Sequence, residues 1–253
     1  MDPLTETDPL ISANSQSLAA YNEDRHAILQ LAVQYFDRKH TRKPFVAGET
    51  YIPATAKNLH AQDLLHLLDA SLDLWLTTGR YAKKFELKVA QSMGHKLPSL
   101  LVNSGSSANL LAASTLGSPT LTSLKTRESL PPPLVSGDEV LTVAAGFPTT
   151  VNPILQNGWV PVFVDVELAT LNTNLDRLKA AKGPRTRAVM LAHTLGNPFR
   201  ADAIAEWCRQ EKMFLIEDCC DALGSQIGDR SVGSFGDLAT LSFYPAHHIT
   251  MGE

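Results

Sequence analysis

The stretch GDEVLTVAAGFPTTVNPILQNGWVPVFVDVE, Gly137–Glu167, decides the fold. Two short apolar, β-branched runs, Glu139–Val143 and Val160–Asp165, read as strands. Pro148–Gln156 lies between them and reads as a helix opened by proline. A helix joining two strands predicts a parallel pair. The same alternation runs outward. Strands are expected at Arg187–Ala192 and Phe214–Glu217, and helices at Ser107–Thr115, Asn174–Ala181 and Ala201–Glu211. Strands alternating with helices predict an α/β fold of three layers, α/β/α, with a mainly parallel sheet covered on both faces.

Upstream the pattern is helical. Residues 1–14 read as a polar, disordered lead-in. Ser17–Lys39 has apolar residues at helical spacing: Leu18, Ile28, Leu31, Ala32, Tyr35 and Phe36. Residues 1–43 are therefore taken as lead-in plus helix, and 44–253 as one large domain. Pro44–Lys57 reads as a loop, Ala61–Leu76 and Tyr81–Met93 as helices separated by Gly79, and Ser99–Val102 as a short buried strand. Gly117–Gly137, with Pro131-Pro132-Pro133, reads as a surface insertion.

The chain has 253 residues, 44% hydrophobic and 19% charged, with net charge −4. That is an ordinary globular balance. Without a Lys/Arg-rich run, the charge argues against a nucleic-acid or anionic-membrane partner. The acidic opening MDPLTETDPL lacks the apolar core of a secretory signal. Three cysteines, Cys208, Cys219 and Cys220, form no even framework and no CxxC pair. A reducing, cytoplasmic location is expected, and no metal site.

Four places carry chemistry. Gly105, Ser106 and Ser107 lie at a strand-to-helix turn, where free N–H groups and hydroxyls suit a phosphate or simply cap the helix. Asp218 ends a strand at the sheet's carboxyl edge, where it serves a protonated ring nitrogen or a structural ion pair. Phe147 follows another strand and either stacks on a ligand ring or packs in the core. In SFYPAHH, Ser242 offers a hydroxyl and His247 an imidazole suited to proton transfer near neutral pH. On an extended strand His247 and His248 would face opposite ways.

These stretches resemble the DegT/DnrJ/StrS group of sugar aminotransferases, of pyridoxal-phosphate fold type I. The likeness is greatest to its CDP-4-keto-6-deoxyglucose 3-dehydrase branch. The matching segments are Ser71–Glu86, Asn103–Ala112, Gly137–Glu167, Ala188–Phe199, Leu215–Ser225 and Gly236–Glu253. Most of the group has lysine where this chain has His247. A lysine holds the coenzyme covalently, whereas a histidine can only move protons. The resemblance therefore implies a cofactor held without a covalent bond, pyridoxamine 5′-phosphate (PMP) or pyridoxal phosphate (PLP). It implies removal of the C3 hydroxyl of a nucleotide-linked 4-keto-6-deoxyhexose in dideoxysugar or lipopolysaccharide biosynthesis.

In that scheme His247 is the base and Asp218 holds the pyridine nitrogen. Gly105, Ser106, Ser107 and Ser242 take the phosphate, Phe147 stacks, and Asp221 lies near the ring hydroxyl. The resemblance also implies a homodimer, a [2Fe-2S] cluster and a flavin or iron–sulfur reductase. The cluster's ligands and the small C-terminal domain are expected beyond Glu253, so the chain is read as a truncated form. A non-catalytic homologue that retains the pocket and an ordinary sugar aminotransferase are the alternatives.

Overall fold

In the computed structural model, residues 15–40, 44–53, 58–94, 99–123 and 130–251 are described. The expected lead-in 1–14 lies outside them. The chain forms two compact units, Met1–Lys83 and Lys84–Glu253.

The first unit pairs α1 (Ser15–Lys39) with α2 (Ala61–Leu72). Helix α2 stops before the expected Leu76, and Leu74 takes a left-handed φ of 49°. Two carboxylates of α2 and its cap gather two arginines and a tyrosine. Arg25 donates to Asp69 and Asp73, Arg80 reaches both, and the Tyr81 hydroxyl donates to Asp69. Burial pushes the Asp69 carboxyl up, but the bonds from Tyr81, Arg80 and Arg25 outweigh it and hold it at about 2.

Helix α3 (Arg80–Ser92) leads into the second unit, which holds α4 (Gly105–Leu116), the single turn α5 (Thr120–Ser123), α6 (Pro148–Gln156), α7 (Leu175–Ala181) and α8 (Ala201–Gln210). Its strands are β1 (Glu139–Thr142), β2 (Val160–Phe163), β3 (Thr186–Ala192), β4 (Phe214–Asp218), a small hairpin of β5 (Gln226–Ile227) and β6 (Arg230–Ser231), and β7 (Leu238–Thr240). The main sheet runs β2-β1-β3-β4-β7, and every pair in it is parallel.

Alternation along each strand explains the layers. Leu141, Val189, Leu191 and Leu215 point to one face, where Leu178 of α7 and Ile204, Ala205 and Trp207 of α8 cover them. Val140, Ala188, Met190, Phe214 and Ile216 point to the other, against Ala112, Ala113 and Leu116 of α4 and Ile154 of α6. A sheet buried on both sides reads as continuous apolar strands, which is why it was legible.

Two expectations need correction. Ser99–Val102 is not a strand. The N–H groups of Ser99 and Leu101 donate to the carbonyl and carboxylate of Glu86 on α3, not to a ladder, and Leu100 is 76% exposed. The Gly117–Gly137 segment is also not wholly a surface excursion. Leu134 is buried with Leu116, and its N–H donates to the Leu116 carbonyl. Residues 124–129 of that segment lie outside the described residues.

One buried staple fixes the end of β4. Glu217 accepts from the N–H groups of Gly233, Phe235 and Gly236 and lies 3.1 Å from Nε2 of His193, whose ring stacks on Phe199. Burial raises the Glu217 carboxyl, yet the His193 contact and the Gly236 and Gly233 N–H groups leave it below its ordinary 4.5. A lowered carboxyl stabilises the fold above its unfolded value and loses that effect as pH falls. Replacing Glu217 by Gln should therefore lower stability at pH 7 by about 2–4 kcal/mol. It should also flatten the loss of stability below pH 4.5, as read by urea unfolding across pH.

Candidate active site

Because the main sheet is parallel, its strands all end at one edge, and their following loops meet there. Phe147 comes from the loop after β1, His193 from that after β3, Asp218 from the end of β4, and Ser242 and His247 from the segment after β7. The N-terminus of α4 joins them.

Asp218 is at the centre of this edge. It is buried, and its register partners are Ala192 on β3 and Thr240 on β7. Its Oδ2 accepts from Asn109 Nδ2 at 2.8 Å and from Thr150 Oγ1 at 2.8 Å. Its Oδ1 accepts from the Cys220 N–H at 3.1 Å. Asn109 is itself held, because Thr240 Oγ1 donates to its Oδ1 at 2.6 Å. None of these three side chains was expected from the sequence. The available signal was Asn109 itself, a polar residue three, four and seven positions before the core residues Ala112, Ala113 and Leu116.

One helical turn N-terminal to Asn109 is the expected anion cradle. Ser104 caps α4, its Oγ accepting from the Ser107 N–H. Among the described residues, the N–H groups of Gly105 and Ser106 have no partner. Ser242 closes the cradle from the side. A Cβ on Gly105 would lie 2.6 Å from the Cβ of Ser242, 2.9 Å from its Oγ and 3.3 Å from Cys220 Sγ, so only glycine fits. Leu241 and Phe243 face the other way, into a cluster with Val89, Met93 and Phe85. That packing sets the direction in which Ser242 points.

Of the expected site residues, Gly105, Ser107, Ser242 and Asp218 are thus brought around the start of α4. Phe147 is the N-cap residue of α6 and is 71% exposed, clear of the core. Ser106 is exposed at the helix tip. His247 is not on an extended strand. It sits in a turn, donating its N–H to the Tyr244 carbonyl, half-buried while His248 is exposed. Its Nε2 lies 3.4 Å from Asp221 Oδ1, and its Nδ1 is buried without a partner. Gly196, at φ +81°, backs the Asp221 loop so closely that a Cβ there would lie 2.8 Å from the Asp221 carbonyl oxygen.

His193, Glu217 and Cys219 bring donor atoms within 4.8 Å of one another. Both Glu217 oxygens already accept N–H groups, and burial pushes the Cys219 thiol up, away from the thiolate that binds metals.

The arrangement fits a phosphorylated pyridine coenzyme. Free N–H groups and serine hydroxyls suit a phosphate. Among the described residues, besides backbone, amide and hydroxyl donors Asp218 holds only the weak Cys220 thiol donor, which a ring N–H would displace. The four helical steps from Gly105 to Asn109 rise about 6 Å, the scale of one substituted ring between the two anchors.

Comparison with known proteins points the same way. Residues 58–253 match the DegT/DnrJ/EryC1/StrS aminotransferase family. The dTDP-4-dehydro-2,6-dideoxy-D-glucose 3-dehydratase of Saccharopolyspora spinosa is 52% identical over 88% of this chain and 46% of its own length. The lipopolysaccharide biosynthesis protein RfbH of Salmonella typhimurium is 49% identical over 92% of this chain and 51% of its own. Sugar-nucleotide aminotransferases match as well. A crystal structure of GDP-4-keto-6-deoxymannose-3-dehydratase with a trapped PLP-glutamate geminal diamine superposes with TM-score 0.69. It is 30% identical and covers 79% of this chain and 49% of that one. The fold is thus that of type I PLP enzymes, and the chain spans about half the length of the relatives it matches. Among the described residues, no helix is long and apolar enough to cross a membrane.

Gly105→Ala tests the close approach on which the cradle depends. Overpacking against Ser242 should cost about 1–3 kcal/mol, outweighing the gain of under about 1 kcal/mol that alanine brings to a helix. The net loss is read by thermal unfolding.

Proposed function

This chain belongs to the DegT/DnrJ/EryC1/StrS aminotransferase family, and from that premise we propose that it is the coenzyme-binding part of a PMP-dependent nucleotide-sugar 3-dehydratase. The observation that carries the reading is His247. An imidazole, not an amine, stands beside Asp221 in the segment after β7. Lys212 is the one lysine in residues 184–253, and it precedes β4, at the opposite end of that strand from Asp218. A covalent anchor is therefore lacking where the group's resemblance puts one.

The residues divide the work. Asp218 receives the protonated ring nitrogen. The start of α4, with Ser106, Ser107 and Ser242, receives the phosphate, and Phe147 lies against the ring face. When bound, the coenzyme supplies an amine that reacts with a ketone and a ring that withdraws electrons. His247 holds and moves the proton through its unpartnered Nδ1, and Asp221 steadies the other nitrogen. The substrate class is a nucleotide-linked 4-keto-6-deoxyhexose, which loses its C3 hydroxyl. A dimeric whole protein and an electron-donating partner belong to the same proposal.

Two measurements test it. Borohydride treatment of the chain with PLP should leave no covalent label, whereas His247→Lys should acquire one, by mass spectrometry. A label on the unaltered chain would favour the aminotransferase reading instead. In the whole protein, His247→Ala should lower dehydration by roughly 10²–10⁴-fold. An unchanged rate would remove the imidazole from the chemistry.

A further inference from the structure

We infer that Asn109, oriented by Thr240, is the positioning residue that keeps the Asp218 carboxylate aimed when no coenzyme is bound. The site thus stays ready for a coenzyme that comes and goes. The inference rests on the reading that Asp218 receives the coenzyme's ring nitrogen.

The hydrogen bonds run in one direction. Thr240 Oγ1 donates to Asn109 Oδ1, so the amide oxygen faces β7 and the NH₂ faces Asp218. Without that hydroxyl an asparagine amide could turn over and present its oxygen to a carboxylate. Asn109 Nδ2 and Thr150 Oγ1 fill Asp218 Oδ2, and the Cys220 N–H takes one position on Oδ1. These three donors hold both carboxylate oxygens in place. The Cys220 thiol also hydrogen-bonds Asp218, and this weak donor is the one a ring N–H would displace. Among the described residues no cation pairs with Asp218. This matters for a coenzyme without a covalent tether. An arginine at position 109 would satisfy Asp218 and close it to a pyridinium. A neutral amide supplies hydrogen bonds and leaves the negative charge for the ligand to meet.

Asn109→Asp makes the role visible. The new carboxyl keeps the shape of asparagine but can donate to Asp218 only while it holds a proton. Two acids so close share one proton at low pH and lose it at high pH. The other titratable groups near Asp218 are His193, whose backbone N–H donates to the Asp218 carbonyl, Glu217, Cys219, Cys220, Asp221 and His247. Burial pushes both thiols up, and Glu217 is lowered, so these three keep their charge states. His193, Asp221 and His247 are common to wild type and variant and cancel in their ratio.

The test titrates PMP into this chain, into Asn109→Asp, Asn109→Leu, Thr240→Val and Thr240→Ser, at low and high pH. Relative to wild type, Asn109→Asp should bind within about threefold at pH 5 and at least about tenfold more weakly at pH 9. Asn109→Leu should be at least about tenfold weaker at both. Thr240→Val should fall between, and Thr240→Ser should match wild type. Recovery of Asn109→Asp at low pH excludes misfolding as the cause. Unchanged binding in Asn109→Leu, or no pH-dependent ratio in Asn109→Asp, overturns the inference. If no form binds PMP, the coenzyme reading fails, and the amide decides the wiring alone. The Asn109 NH₂ protons, assigned by their loss in Asn109→Asp, should exchange slowly and shift in Asp218→Asn. Fast exchange with no shift overturns it.

Discussion

A buried carboxylate at the end of a central strand is the constraint on which the second unit is organised. Asp218 must be paid for in hydrogen bonds, since an isolated charge in a protein interior is costly. Its donors come from three places far apart in sequence: Asn109 on α4, Thr150 on α6 and the main chain of Cys220. Thr240 on β7 sets the asparagine. Satisfying one acid thus fixes the start of two helices against the ends of two strands. Losing one of these donors would cost about 1–3 kcal/mol, a large part of a typical domain's margin.

The parallel sheet explains why the other side chains arrive at the same edge. Each crossover returns the chain to the edge where the strands begin, so every strand ends where its neighbours end. Alternation then sorts the residues after β7. Leu241 and Phe243 are packed, and Ser242 is turned to the α4 terminus, where Gly105 admits it. The Glu217 staple lies one residue before Asp218 and ties β4 to the Gly233–Gly236 loop. Rigid backing of this kind is what a site needs when binding geometry has to be maintained without a covalent tether.

Much of this was legible in the residues, and the failures have physical causes. The sheet showed because strands buried on both faces leave apolar runs between helix signals, as in Gly137–Glu167. Ser99–Val102 has the same appearance, but its N–H groups go to Glu86, a contact no local pattern reveals. Strand β7 is three residues long and follows Gly236 and Asp237, so no run marked it. Gly105, Asp218 and Ser242 stood out because strand ends and helix starts gather ligands. Asn109, Thr150 and Thr240 did not, because small polar residues are common and their partners lie 68 to 131 positions away.

The central claim is that one edge of this sheet holds a coenzyme through Asp218 and the α4 terminus, with His247 in place of a covalent anchor. A crystal structure of the chain with PMP tests it most directly. The account predicts the phosphate at the N–H groups of Gly105 and Ser106, the ring nitrogen on Asp218 Oδ1 and the imidazole of His247 at the amine side. A coenzyme bound elsewhere, or with Asp218 turned away from its ring, would contradict it.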